Sequence, residues 1–170
     1  AGVHDIININ MYKMNNNING LSIVATPIGN LADISFRAIN ALKECDIIIC
    51  ENPKHSLKLL NKLGIKKKLI ALHDYNEHKI INQIKNLLKN KKCVLISDAG
   101  SPLISDPGYN LVQFCIQNNI KVTSVPGPTS LITALQLSGL PLSEFTFFGF
   151  VPKSKKKLEE LVKSISKETK

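Results

Sequence analysis

The fold is read most directly from the stretch CVLISDAGSPLISDPGY, residues 93–109. It opens on an apolar run without polar alternation, the pattern of a strand buried on both faces of a parallel sheet. The run stops on Asp98-Ala99-Gly100-Ser101-Pro102 and continues through Ser105-Asp106-Pro107-Gly108 before an apolar, helix-spaced segment begins. A buried strand, a polar turn rich in Gly and Pro, and then a helix make up the βα unit of open parallel sheets.

The same unit recurs on either side. Apolar runs at 21–25, 46–50, 68–72 and 121–125 join 93–97 as predicted strands, and segments of helical period at about 34–44, 53–63, 77–90, 107–118 and 128–138 fall between and after them. The expected fold class is therefore α/β: a five-stranded, mainly parallel sheet with helices on both faces. Asn52-Pro53 and Asp106-Pro107 place a capping side chain before a proline suited to the first helical position, and Asp33 and Asn76 are further cap candidates. Gly64 and Gly139 suit helix ends that turn left-handed.

The pattern changes after Gly139. Leu140-Pro141 leads into a phenylalanine-rich run, 145–150, and a lysine-rich amphipathic segment, 153–167, expected as a strand and a helix that open a second α/β domain and stop there. Phe145, Phe147, Phe148 and Phe150 are expected as strand core rather than as a base-stacking surface. Residues 1–20, with Met14 as a plausible initiator, are expected to be an expression remnant or a loose arm. The domain of interest then spans 21–139, and 140–170 forms a linker and the beginning of the next.

Composition fits a packed globular protein, with 44% hydrophobic and 21% charged residues. A net charge of +9 admits a polyanionic partner. Arg37 is the only arginine among 22 basic residues, however, so a general Lys-rich bias explains the total as well. The clusters at 66–68, 89–92 and 153–157 could follow an RNA backbone or could be ordinary solvated helix ends. Cys45, Cys50, Cys93 and Cys115 form no CxxC pair and sit in or beside apolar runs, which suits buried thiols of a reducing cytosol; no metal site is expected. No apolar run approaches the roughly 20 residues of a membrane-spanning helix.

In a parallel sheet the loops after the strands converge on one rim, where ligands bind. Each predicted strand here ends on such a loop: 26–30, 51–56, 73–78, 98–108 and 126–130. Gly29, Gly100, Gly108 and Gly127 would let backbone amides approach a ligand, although Gly and Pro mark ordinary turns too. Neither GxGxxG nor GxxxxGK[ST] is present, so neither a dinucleotide fingerprint nor a P-loop is indicated.

Three strings carry a resemblance: IVATPIGNLADIS at 23–35, ISDAGSPLISDPGY at 96–109 and VPGPTSLITALQLSGLP at 125–141. Over about residues 21–152 the chain resembles the bacterial family that 2′-O-methylates a cytidine ribose in small-subunit ribosomal RNA. That family belongs to the tetrapyrrole-methylase-like, class III S-adenosylmethionine methyltransferases. The resemblance implies a two-domain cytoplasmic enzyme, usually a homodimer, with S-adenosylmethionine as cofactor, small-subunit RNA as partner, and neither metal nor membrane. It places cofactor contacts on Ile28 and Gly29, on Ser97, Asp98, Ala99, Ser101 and Pro102, and on Thr129 and Ser130. Most adenine-side contacts would come from the second domain, so a chain ending here is expected to be inactive alone.

The residues support some of this directly. Asp98, at a strand end beside Gly100, suits hydrogen bonds from an ammonium or ribose hydroxyls, or else caps its own loop. Thr129 and Ser130 offer hydroxyls and free amides at a helix start, where plain capping is the alternative. A ribose hydroxyl is a weak nucleophile, so a base or cation would help; Glu51, Lys54, His73 and Glu77 are the candidates, Glu51 and Lys54 first. His73 could equally be a structural rim histidine, and Glu77 a first-turn carboxylate.

Two departures weigh on the substrate side. The family's Glu-Asp-Thr-Arg string is here Glu51-Asn52-Pro53-Lys54, which loses one charge and an arginine fork. Its His-x-His-Asn-Glu-like string is here His73-Asp74-Tyr75-Asn76-Glu77. Two alternatives stay open: a methylase of tetrapyrroles or another small molecule, and an RNA-binding or assembly relative without catalysis.

Overall fold

The computed structural model describes residues 19–166. The expected arm at 1–20 lies outside the described residues apart from Asn19 and Gly20, as does the end of the expected 153–167 helix. The described residues fall into two compact units that meet at Thr129 and Ser130 in sequence, whereas the sequence pattern puts its change at 139/140.

The first unit is a parallel sheet of β1 (Gly20–Val24), β2 (Ile47–Cys50), β3 (Lys68–Ala71), β4 (Lys92–Ile96) and β5 (Val122–Val125), in the order β3-β2-β4-β1-β5. Every pairing is parallel. Four α-helices connect the strands: α1 (Phe36–Glu44), α2 (Pro53–Lys62), α3 (Glu77–Asn90) and α4 (Tyr109–Gln117). A 3-10 turn, Leu31–Asp33, precedes α1.

Strand alternation sorts the core into two layers. Ile48, Cys50, Val94 and Ile96 face Ala38 and Leu42 of α1 and Leu60 of α2. Ile47, Ile49, Cys93 and Leu95 face Ile81, Ile84 and Leu88 of α3 and Leu111 and Cys115 of α4. A strand such as β2, buried at every position, can only be an unbroken apolar run, so the sequence shows no period there. All four cysteines are buried free thiols; desolvation pushes Cys93 up to about 12 and Cys45 and Cys115 to about 11, which leaves them neutral and unreactive.

The helix after β1 packs on one sheet face and the helix after β4 on the other, although these strands are neighbours. The chain therefore leaves these two neighbouring strands toward opposite faces, which makes their carboxyl ends the topological switch point, where open α/β sheets bind ligands.

Several expected helix starts are corrected. Asp106-Pro107 does not open α4, which begins at Tyr109 behind Gly108 at φ 125; the intervening residues form an irregular loop in which Leu103 and Ser105 hold positive φ. A Cβ on Gly108 would lie 2.9 Å from side-chain atoms of both Leu103 and Leu95, so packing as well as φ requires glycine there. Ser35, not Asp33, caps α1, and the Asn76 side chain accepts from His73 N at 2.7 Å rather than from its own helix. Asn52 does cap α2, accepting from His55 N at 3.2 Å ahead of Pro53.

The second unit contains α5 (Ser130–Leu137), which begins two residues later than expected, and α6 (Lys155–Ile165). The expected strand at 145–150 is absent; Phe145, Phe147, Phe148 and Phe150 are exposed and irregular. A strand needs a neighbour to take its amide and carbonyl groups, and no described residue of the unit supplies one.

Candidate functional site

At the switch point the loops after β1 and β4 are joined directly. Thr26 and Gly100 exchange backbone hydrogen bonds, Thr26 N to Gly100 O at 2.9 Å and Gly100 N to Thr26 O at 3.0 Å, in an isolated antiparallel bridge. Gly100 makes the join possible. Its φ of 77 is left-handed, and a Cβ there would lie 3.2 Å from the Ile28 side chain and 3.5 Å from Pro128 O. The loop after β5 is drawn in as well, since Ser101 Oγ donates to Pro128 O at 3.3 Å and a Cβ on Gly127 would lie 3.1 Å from the Ala25 methyl.

These contacts separate shaping groups from free ones. Ser97 is buried, and its hydroxyl lies within donating distance of Ala99 O and Gly100 O, both at 3.2 Å, so it holds the turn closed. Ser101 ties two loops together, and the Pro102 side chain is buried beneath. Asp98 differs: it is half-buried, and its Oδ1 is shielded from solvent with no hydrogen-bond partner among the described residues. A shielded carboxylate oxygen left unpaired costs on the order of 1–3 kcal/mol, more if charged, which a donor from outside would recover.

The rim beside Asp98 is acidic. Burial raises Glu51 above its ordinary range, and Asp98, Asp106 and Asp74 push the same way while His73 opposes them. Burial likewise raises Asp106, with Asp98 adding to it and the Ser97 hydroxyl opposing. A cluster of carboxylates crowded enough for Asp98 to push both Glu51 and Asp106 up forms a field suited to a cation.

Of the other expected residues, Ile28 is half-buried against Gly100, while Gly29 and Ala99 are exposed. Thr129 is half-buried at the end of the first unit; Ser130 opens α5 in the second. Lys54 is exposed in the first turn of α2. His73 is exposed, and its backbone is held by Asn76, whose amide also donates to Ala71 O at 3.3 Å. Glu77 is buried and engaged at both oxygens: Oε1 accepts from Leu111 N at 2.9 Å and Oε2 from Asn110 Nδ2 at 3.0 Å. It is committed to the N-terminus of α4, so the fold gives it a capping task rather than a free carboxylate.

Two residues gain weight only in three dimensions. Thr26 is fully buried at the bridge, and its Oγ1 donates to Ser97 O at 3.4 Å. Asp106, read from sequence as a helix cap, belongs to the acidic rim instead; the repeat of Ile-Ser-Asp at 96–98 and 104–106 was the available signal.

Known proteins resemble this chain in sequence and in fold. The family model for tetrapyrrole (corrin/porphyrin) methylases matches residues 20–169. Ribosomal RNA small subunit methyltransferase I of Thermotoga maritima is 49% identical over 149 residues, covering 87% of this chain and 67% of the relative. The protein of the same name from Escherichia coli O157:H7 is 45% identical over 149 residues, covering 87% of this chain and 52% of the relative. The chain thus spans from about half to two thirds of the length of these curated relatives. Among solved structures, diphthine synthase (TM-score 0.58, 19% identity, 74% of this chain and 51% of that one) shares the fold. So does uroporphyrin-III-C-methyltransferase from Thermus thermophilus (TM-score 0.52, 21% identity, 74% and 54%). With a five-stranded parallel sheet, loops gathered at its switch point and a family match across nearly its whole length, the chain belongs to the tetrapyrrole (corrin/porphyrin) methylase family.

Proposed function

We propose that this chain forms the cofactor-binding half of an S-adenosylmethionine-dependent methyltransferase that modifies a cytidine ribose 2′-hydroxyl in small-subunit ribosomal RNA. In this reading the protein works in the cytoplasm as a homodimer. The observation that carries the cofactor assignment is the unpartnered, shielded Oδ1 of Asp98 within an acidic rim. Such a rim repels the phosphates of a dinucleotide and attracts a ligand bearing ammonium and sulfonium charges. The RNA substrate rests on the relatives at 45–49% identity, both named for small-subunit ribosomal RNA.

When bound, S-adenosylmethionine supplies a methyl group already activated by its sulfonium. Asp98 would accept hydrogen bonds from its ammonium or ribose hydroxyls, while Ile28, Gly29, Ala99 and Thr129 would line it. Ser97, Ser101 and Pro102 would act through the shape of the loop, because both hydroxyls are turned inward to carbonyls. Holding the reacting groups in line supplies much of the rate of such a displacement. Glu51 would take the proton of the attacking hydroxyl, with Lys54 and His73 on the same rim to steady the substrate. The full-length protein is expected to transfer labelled methyl groups to ribose in small subunits that lack the modification; label on a base, on protein or on a tetrapyrrole would overturn the reading.

The raised affinity of Glu51 for its proton sets a pH signature. A base acts once deprotonated, so the rising limb of the rate profile should lie above the ordinary glutamate value of 4.5. Glu51→Gln should remove that limb and lower kcat by roughly 10²- to 10⁴-fold; an unchanged limb would assign the base elsewhere. The stability sign is the reverse of the usual carboxylate. Because the folded-state value is raised, the contribution of Glu51 is present below 4.5 and lost as pH rises through the folded value.

A further inference from the structure

Two lysine clusters of the sequence, together with Lys121, converge on the rim opposite the candidate site. In a parallel sheet all strands start on one side, and here three of the five starts are basic. Lys66, Lys67 and Lys68 lead into β3, Lys89, Lys91 and Lys92 into β4, and Lys121 into β5. Backbone hydrogen bonds knit these positions together. Gly20 N donates to Lys91 O at 3.0 Å, Leu21 N to Lys121 O at 2.9 Å, and Asp46 N to Lys92 O at 2.8 Å. The Lys67 charge reaches across to lower the Cys45 thiol against its burial. Lys92 and Lys121 share a groove of about 310 Å³ with Arg37, the one arginine, and with Ser22 and Thr123.

Two carboxylates dilute this charge, Glu44 on the groove wall and Asp46, whose Oδ2 accepts from Lys92 N at 2.8 Å. Seven lysines and Arg37 stand against them. Five strands give four steps of about 4.8 Å, so the basic rim runs roughly 19 Å, enough for several consecutive phosphates. At the other rim, Glu51, Asp74, Asp98 and Asp106 repel phosphate. The unit is therefore polar from end to end along its strands.

We propose that the amino-terminal rim of the sheet is an RNA-backbone docking surface, remote from the methyl-transfer site, that supplies affinity the acidic rim cannot. This rests on the RNA-methyltransferase reading and adds where the RNA is gripped. The lysines would meet phosphate and act independently of sequence, so they position the substrate while the carboxyl-terminal rim selects the nucleotide. A surface of this kind also predicts strong dependence on salt.

The test compares full-length protein with a variant carrying Lys66→Gln, Lys68→Gln, Lys91→Gln and Lys121→Gln, all at exposed positions. Affinity for a small-subunit RNA fragment is measured by fluorescence anisotropy across a salt series, and S-adenosylmethionine affinity by calorimetry. The variant is expected to bind RNA at least tenfold more weakly near 0.1 M salt. Its log–log salt slope should be shallower by about 0.7 for each single-strand phosphate that the variant no longer neutralises, with cofactor affinity unchanged. Equal RNA affinity and slope in the two proteins would overturn the docking surface alone, and would be the result if the rim instead met an acidic protein. Weaker RNA binding matched by equally weakened cofactor binding would also overturn it, as a general folding defect. Wild-type protein that binds no RNA would overturn both this inference and the function on which it rests.

Discussion

Asp98→Ala in the full-length protein is expected to weaken S-adenosylmethionine binding by roughly 10- to 150-fold and to abolish measurable methyl transfer. The range corresponds to losing one hydrogen-bonded charged group, about 1.5–3 kcal/mol. Its basis is the one rim carboxylate oxygen that is shielded from water and, among the described residues, lacks an internal partner. The fold should not suffer, because removing an unsatisfied acceptor relieves a cost, so the unfolding midpoint should hold or rise. Asp98→Asn provides a second reading. It keeps the shape and one acceptor but drops the charge, and should fall between wild type and alanine. Calorimetry decides the matter: cofactor affinity unchanged in both variants would remove Asp98 from the site.

Glu77→Ala is expected to cost more stability than any other substitution considered, about 3 kcal/mol, or roughly 6–12 °C in unfolding midpoint for a domain of this size. The substitution leaves Leu111 N, buried at the start of α4, without its acceptor at 2.9 Å, and releases Asn110 Nδ2 as well. It also removes a carboxylate from a helix N-terminus, where the backbone dipole favours one. Glu77→Gln retains an acceptor for Leu111 N but turns an amide toward Asn110, and should cost about a third as much. Chemical unfolding measures both. A Glu77→Ala protein of wild-type stability that has lost activity would return Glu77 to the catalytic candidates.

The place of the candidate site was legible in the sequence. The loop after β4 stands out because its residues sit together in the chain: a buried strand, then Asp98, Gly100, Ser101 and Pro102 in one turn. The roles within it were not legible. Ser97 and Ser101 look like ligand-facing hydroxyls in the sequence, yet they bond to carbonyls at 3.2–3.3 Å and serve the shape of the loop. Glu77 looks like a rim carboxylate but reaches α4, 34 positions on. Asp106 looks like a helix cap before proline, yet it belongs to the acidic rim because the helix starts only at Tyr109. Side-chain identity reports what a group can bond; which partner it meets depends on loops that are distant in sequence.

The order of residues along the chain was enough for the α/β class, the five strands, the parallel sheet and the rim that carries the polar loops. Apolar runs without alternation match strands buried inside a parallel sheet, as β2 and β4 are, while the edge strands β3 and β5 are only partly covered; parallel strands all end on the same side. Three-dimensional packing was needed for the order β3-β2-β4-β1-β5, the switch point between β1 and β4, and the bridge from Thr26 to Gly100. The same holds for the gathering of lysines from three separate stretches of chain on the opposite rim. Strand order is set by how the two layers of side chains pack, a property of residues far apart in the chain, and no local pattern encodes it.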